Sequence, residues 1–248
     1  MALDNGIINI VPLKSTVTFA APAAAAQLTY RGGPLLQNVK IFSVFWGAAW
    51  QNSPASDTAA QMNQFFQYIV TSPLMDQLGD YSTSGTTIGQ GQFIGTAVVA
   101  NPAPSVPVDD SDIQTFLQNQ ISSNPDFPQP DADTLYFVFL PTGVTVTQSG
   151  AQSCQDFCGY HQSTNSQIFY GVIPYPDCSG CTGGGAVIDA LTQVTSHELC
   201  EAITDPVPGQ GWYDDSNGEI GDICAWQTKT LGSYVVQLEW SNQANACI

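Results

Sequence analysis

Thr134-Leu-Tyr-Phe-Val-Phe-Leu140 holds one polar residue in seven. A strand that shows water on one face alternates apolar and polar residues, whereas a nearly unbroken apolar run is buried on both faces. This run therefore reads as a central strand of a parallel sheet. Three further runs support it: Asn38 to Trp46, Gly91 to Ala100 and Ser166 to Pro174 are rich in β-branched and aromatic residues and bounded by turn formers. Helices are expected between them. Ser56 to Ser72 carries a broad apolar face, and Asp110 to Ser122 opens behind acidic capping residues. Alternating strands and helices predict an α/β layered fold with a mostly parallel sheet. Residues 1–29 read as an N-terminal arm or edge strand, and 30–248 as a single domain with a loop-rich, disulfide-containing C-terminal part ending in a late strand, Tyr234 to Trp240.

A helix is predicted from Ala186 to about Asp205, before Pro206, with its apolar stripe buried and its polar edge at the margin of the core. That edge carries Ser-His197-Glu198-Leu-Cys-Glu201. Residues four apart share a helix face, so His197 and Glu201 form a potential metal clamp. Glu198, between them, has the position of a general base. The pattern departs from the His-Glu-x-x-His of zinc peptidases at Glu201 alone. Two carboxylates and an imidazole would neutralise the metal, so its water should be less acidified than with two histidines. Glu219 and Asp222, in Asn217-Gly-Glu-Ile-Gly-Asp222, are candidate further ligands, as is His161, the only other histidine. Tyr213 or His161 could stabilise an oxyanion.

The same downstream loop offers Asp214, Asp215 and Asn217, which with Asp205 make a hard-oxygen set suited to calcium. Its spacing is not that of an EF-hand, and an Asn-Gly turn with solvated charges explains it as well.

Charge excludes some functions. Against 21 acidic residues stand four basic ones, a net charge of -17. Phosphate backbones require Lys and Arg, so nucleic acid is not an expected partner, and anionic membrane surfaces are disfavoured. Thr16 to Ala26 faintly resembles a signal-peptide core but lacks the preceding basic cluster. Seven cysteines, all after residue 153, point to disulfides and an oxidising compartment. A four-cysteine zinc site from Cys154, Cys158, Cys178 and Cys181 is the rival. A bridge from Cys200 to Cys224 would tie the acidic loop to the helix.

Several blocks together resemble the EXORDIUM-like, or phosphate-induced protein, family. They are Tyr30-Arg-Gly-Gly-Pro-Leu-Leu36 with Phe45-Trp46-Gly47, then Cys154-x3-Cys158-Gly-Tyr-His161 with Cys178 and Cys181. The segments Ser196 to Pro206 and Gly211 to Cys224 resemble its microbial members. The resemblance implies an extracellular protein. Three functions are open at this stage. The first is a secreted zinc metallopeptidase acting on peptide or protein. The second is a non-catalytic calcium-binding protein, and the third a wall-associated or carbohydrate-binding module using Trp212 and Tyr213.

Overall fold

The computed structural model describes residues 10–14 and 26–248. Its centre is a six-stranded sheet built from β1 (Ile10–Pro12), β2 (Lys40–Trp46), β3 (Gln92–Val99), β4 (Thr134–Phe139), β5 (Phe157–Thr164) and β6 (Ile168–Ile173). The spatial order is β1-β5-β6-β4-β2-β3. Strands β3, β2, β4 and β6 run parallel. Strand β5 is antiparallel to β6, and β1 antiparallel to β5. The sheet is thus mainly parallel with an antiparallel margin. The apolar run at Thr134 does lie inside it, between β6 and β2.

Helices cover both faces. Side chains alternate across a strand with period two. Ile41, Phe45, Phe137 and Phe139 face α1 (Ala55–Ile69) and α3 (Val187–Thr204). Phe42, Val44, Tyr136 and Val138 face α2 (Asp110–Ser123). On the first face Phe45 stacks on Phe139 at 4.9 Å, and Phe66 of α1 lies 5.0 Å from Phe137. Helix α2 is closed at its start by a capping box between Asp109 and Asp112. Phe66 is completely buried among these rings, so Phe66→Ala should lower unfolding free energy by about 3–5 kcal/mol. Urea denaturation would measure it, and a change below 1 kcal/mol would mean that this face repacks.

Strand β5 (Phe157–Thr164) is not among the strands expected from the sequence. A hairpin of β7 (Thr228–Leu231) and β8 (Tyr234–Gln237) packs on the outer side of α3, and Trp240 begins a separate two-residue strand. The expected arm or edge strand at the N-terminus is represented by β1. The remainder of that arm, and most of Thr16 to Ala26, lie outside the described residues. No helix among the described residues is long and apolar enough to cross a membrane.

Three disulfides join Cys154–Cys178, Cys158–Cys181 and Cys224–Cys247. Two expectations are corrected. The first four cysteines pair with each other, which removes their thiolates from any zinc site. Cys224 bonds to Cys247, and Cys200 is a free thiol buried within α3.

Candidate metal centre

Helix α3 is not half-exposed. Every residue from Ala190 to Thr204 is buried, because β5 and β6 cover one side and β8 the other. His197, Glu198 and Glu201 therefore sit inside the protein, not at its margin. Gly159 of β5 permits this closeness. A Cβ there would stand 2.6 Å from Val194 of α3 and 3.4 Å from Glu198 Oε1. Gly159→Ala should push helix and strand apart and lower stability by about 1–3 kcal/mol. Thermal unfolding is the check, and an unchanged Tm would show that the contact yields freely.

Two residues after Gly159, His161 points to the same face of the sheet, while Tyr160 between them points to the α2 side. His161 is fully buried. Its Nε2 lies 3.1 Å from the Asp205 carbonyl oxygen, which must receive an N–H from it. Its Nδ1 lies 3.2 Å from Glu198 Oε2 and 3.4 Å from Glu201 Oε2. Without a cation, that nitrogen would turn a lone pair toward two carboxylate oxygens. A proton or a metal ion is needed between them. Tetrahedral ligands about 2.0–2.1 Å from zinc are separated by roughly 3.3 Å, which these distances match.

His197 lies on the other side of Glu201, with Nε2 2.9 Å from Glu201 Oε1. Glu219, from the loop after Tyr213, brings Oε1 to 3.5 Å from His161 Nε2. Asp222 accepts the Glu219 backbone N–H at 3.0 Å. One oxygen of Asp222, one of Glu201 and a nitrogen of His197 lie within 4.8 Å of one another, as do donors from His161, Glu198 and Glu201. The site thus gathers His161, His197, Glu198, Glu201, Glu219 and Asp222.

The remaining candidates have other work. Asp205 ends α3, and its carboxylate accepts backbone N–H groups from Gly209, Gln210 and Gly211 at 2.6, 3.0 and 2.6 Å. Asp214 accepts from the N–H groups of Ser216 and Asn217 through Oδ1 and of Gln27 through Oδ2, an Asx turn. Asp215 is exposed and pairs with Arg31. Each of these carboxylates is engaged with its own partners, and the side-chain amide of Asn217 donates to Asp214. The ring of Tyr213 lies under the Arg31 guanidinium, 4.6 Å from centroid to Cζ, a cation–π contact.

Electrostatics make the site demanding. Buried side-chain atoms without a hydrogen-bond partner include Glu198 Oε1, both oxygens of Glu201, both of Glu219, and His197 Nε2. Among the described residues, the Lys and Arg ion pairs are Arg31–Asp215 and Lys40–Asp131, so neither cation reaches this cluster. Burial alone would lower the pKa of His161, but Glu198 and Glu201 outweigh it and push it up to about 10. Burial raises Glu198, with Glu201 adding repulsion against the two imidazoles. Glu201 feels the same burial, yet His197 and His161 together pull it down. Glu219 and Asp222 are driven well up by burial and by neighbouring carboxylates. Protons on His161 and Glu198 could relieve part of this. One divalent ion would relieve more, since burying unpaired carboxylates costs several kcal/mol each.

Sequence reading missed two members. Glu239, fully buried with both oxygens unpartnered, is raised by burial and lies beside Cys200. Gln237, at the end of β8, touches His197. The signal for both was a polar residue interrupting the apolar run Tyr234 to Trp240. Comparison of the chain with family models and with curated proteins finds no match.

Proposed function

We propose that this chain is an extracellular zinc-binding protein with the donor set of a metallohydrolase, akin to microbial EXORDIUM-like proteins. The observation carrying this reading is the His161 ring. Its N–H is committed to the Asp205 carbonyl, and its other nitrogen stands at ligand spacing from Glu198 and Glu201. Metal-binding histidines characteristically donate their second N–H in this way. His161 thereby moves from a supporting part to the central ligand, and Glu198 from general base to ligand. Glu201 remains a ligand, and Glu219 and Asp222 surround the ion with further negative charge. Three protein ligands are the number found in catalytic zinc sites.

When bound, zinc would supply Lewis acidity and a water of lowered pKa, the chemistry of amide hydrolysis. Peptides are the substrate class this reading takes forward. A second reading has its own support. All of His161, Glu198, Glu201 and Glu219 are fully buried, which suits an ion that braces the fold without reaching substrate. The three disulfides accord with an oxidising, extracellular setting.

Elemental analysis of protein purified without added metal tests the proposal. About one zinc per chain is expected, with a fall in Tm on chelation. Calcium alone, or no metal after zinc has been offered, would sink it. Peptide hydrolysis by the zinc-loaded protein separates the catalytic reading from the bracing one.

A further inference from the structure

The side-chain amide of Gln237 is fixed by backbone on both ends. Its Oε1 accepts the Trp226 N–H at 3.0 Å, and its Nε2 donates to the Gly221 carbonyl at 2.9 Å. The second hydrogen of that nitrogen meets His197 Nδ1 at 2.7 Å. Flipping the amide would set Oε1 against the Gly221 oxygen and the NH2 group against the Trp226 N–H. Two hydrogen bonds would become two repulsions, so the orientation is determined. Gln237 is fully buried.

His197 Nδ1 is therefore an acceptor. A neutral imidazole carries one N–H, which must then be on Nε2. A protonated nitrogen has no lone pair to give a metal. Nδ1 cannot take the ion either, because the Gln237 amide occupies its front. Gly221 holds the ring in this pose. A Cβ at that position would stand 2.7 Å from His197 Nδ1 and 2.8 Å from Cε1. The contrast with His161 is direct: there the committed nitrogen gives its hydrogen away, and here it receives one.

We propose that Gln237 is a positioning residue that fixes His197 as its Nε2–H tautomer, so that neither ring nitrogen of His197 is free to ligate and the ion has a single imidazole ligand, His161. The histidine of the His-Glu-x-x-Glu pattern is then not a ligand. Its Nε2 lies 2.9 Å from Glu201 Oε1, while Glu201 Oε2 lies on the His161 side, 3.4 Å from Nδ1. The inference about ligation rests on the zinc reading above. The inference about the tautomer does not.

Nitrogen-15 NMR of the metal-free chain reads the tautomer, with Nε2 of His197 expected as the protonated nitrogen. A hydrogen on Nδ1 would overturn the proposal whether or not metal binds. X-ray absorption of the zinc-loaded protein should count one imidazole per zinc, and two would overturn it. Gln237→Glu supplies an acceptor for an Nδ1 hydrogen and should free Nε2, raising the count to two. His197→Ala should weaken zinc binding by about 10–100-fold, the range for outer-shell partners, without changing the imidazole count. Complete loss of zinc in that variant, alongside unaltered folding by circular dichroism, would make His197 a ligand after all. If no zinc binds, the metal reading fails and the NMR result alone decides the part played by Gln237.

Discussion

His161→Ala is expected to remove stoichiometric zinc from this protein, with affinity falling on the order of a hundredfold or more. A structural zinc site contributes about 10–16 kcal/mol over its ligands, so one ligand accounts for a few kcal/mol. Each 1.4 kcal/mol is tenfold in affinity. The variant also leaves the Asp205 carbonyl without the hydrogen that His161 Nε2 gives it. Glu198 and Glu201 would remain buried with their charges unopposed on that side, and they should take up protons instead of metal. Competition titration with a zinc chelator would measure the loss. Full zinc occupancy in folded His161→Ala would place the ion elsewhere, with the group of His197, Glu201 and Asp222 as the alternative.

Removing the Cys158–Cys181 bridge, as Cys158→Ala with Cys181→Ala, should cost about 3 kcal/mol of stability. The bridge closes a loop of sequence separation 23, for which chain entropy predicts that order of effect. It also ties strand β5, three residues before His161, to the segment that leads into α3. The two elements that supply the proposed ligands are thus linked covalently as well as by packing. Guanidinium unfolding of the double variant would give the stability, and zinc titration the change at the site. Loss of stability with unchanged zinc affinity would show that packing alone holds β5 in place. An unchanged unfolding midpoint would mean that the neighbouring Cys154–Cys178 bridge already restricts the same loop.

The parallel strands were legible because burial on both faces writes itself as composition: Thr134 to Phe139 is almost wholly apolar and lies within the sheet. Strand β5 was not, for a physical reason tied to function. Its residues Gly159 and His161 face a helix that carries carboxylates, so the pattern reads as glycine and polar residues where a core strand normally reads as aliphatic. The helix pattern at His197 was visible, but its spacing could not show that a second layer covers its polar edge. That cover comes from β8, some forty residues later. The Asp205 carboxylate, read as a possible calcium ligand, is satisfied by three backbone N–H groups of the chain turning back at Gly209 to Gly211. Such pairings between side chain and main chain leave no mark on composition.

Strand β1 places Ile10 opposite Tyr160, across 150 residues of chain. Contacts between residues so distant along the chain slow folding, because the entropy of closing the loop is lost before the pairing returns anything. During synthesis the N-terminal strand emerges first and must wait for β5, and β5 in turn waits for α3 to meet it. The proposed zinc site would then be assembled late, after most of the sheet exists. Until then its carboxylates would be ionised and its imidazoles largely neutral in water, and that interval would be when a metal ion could reach proposed ligands that are afterwards buried.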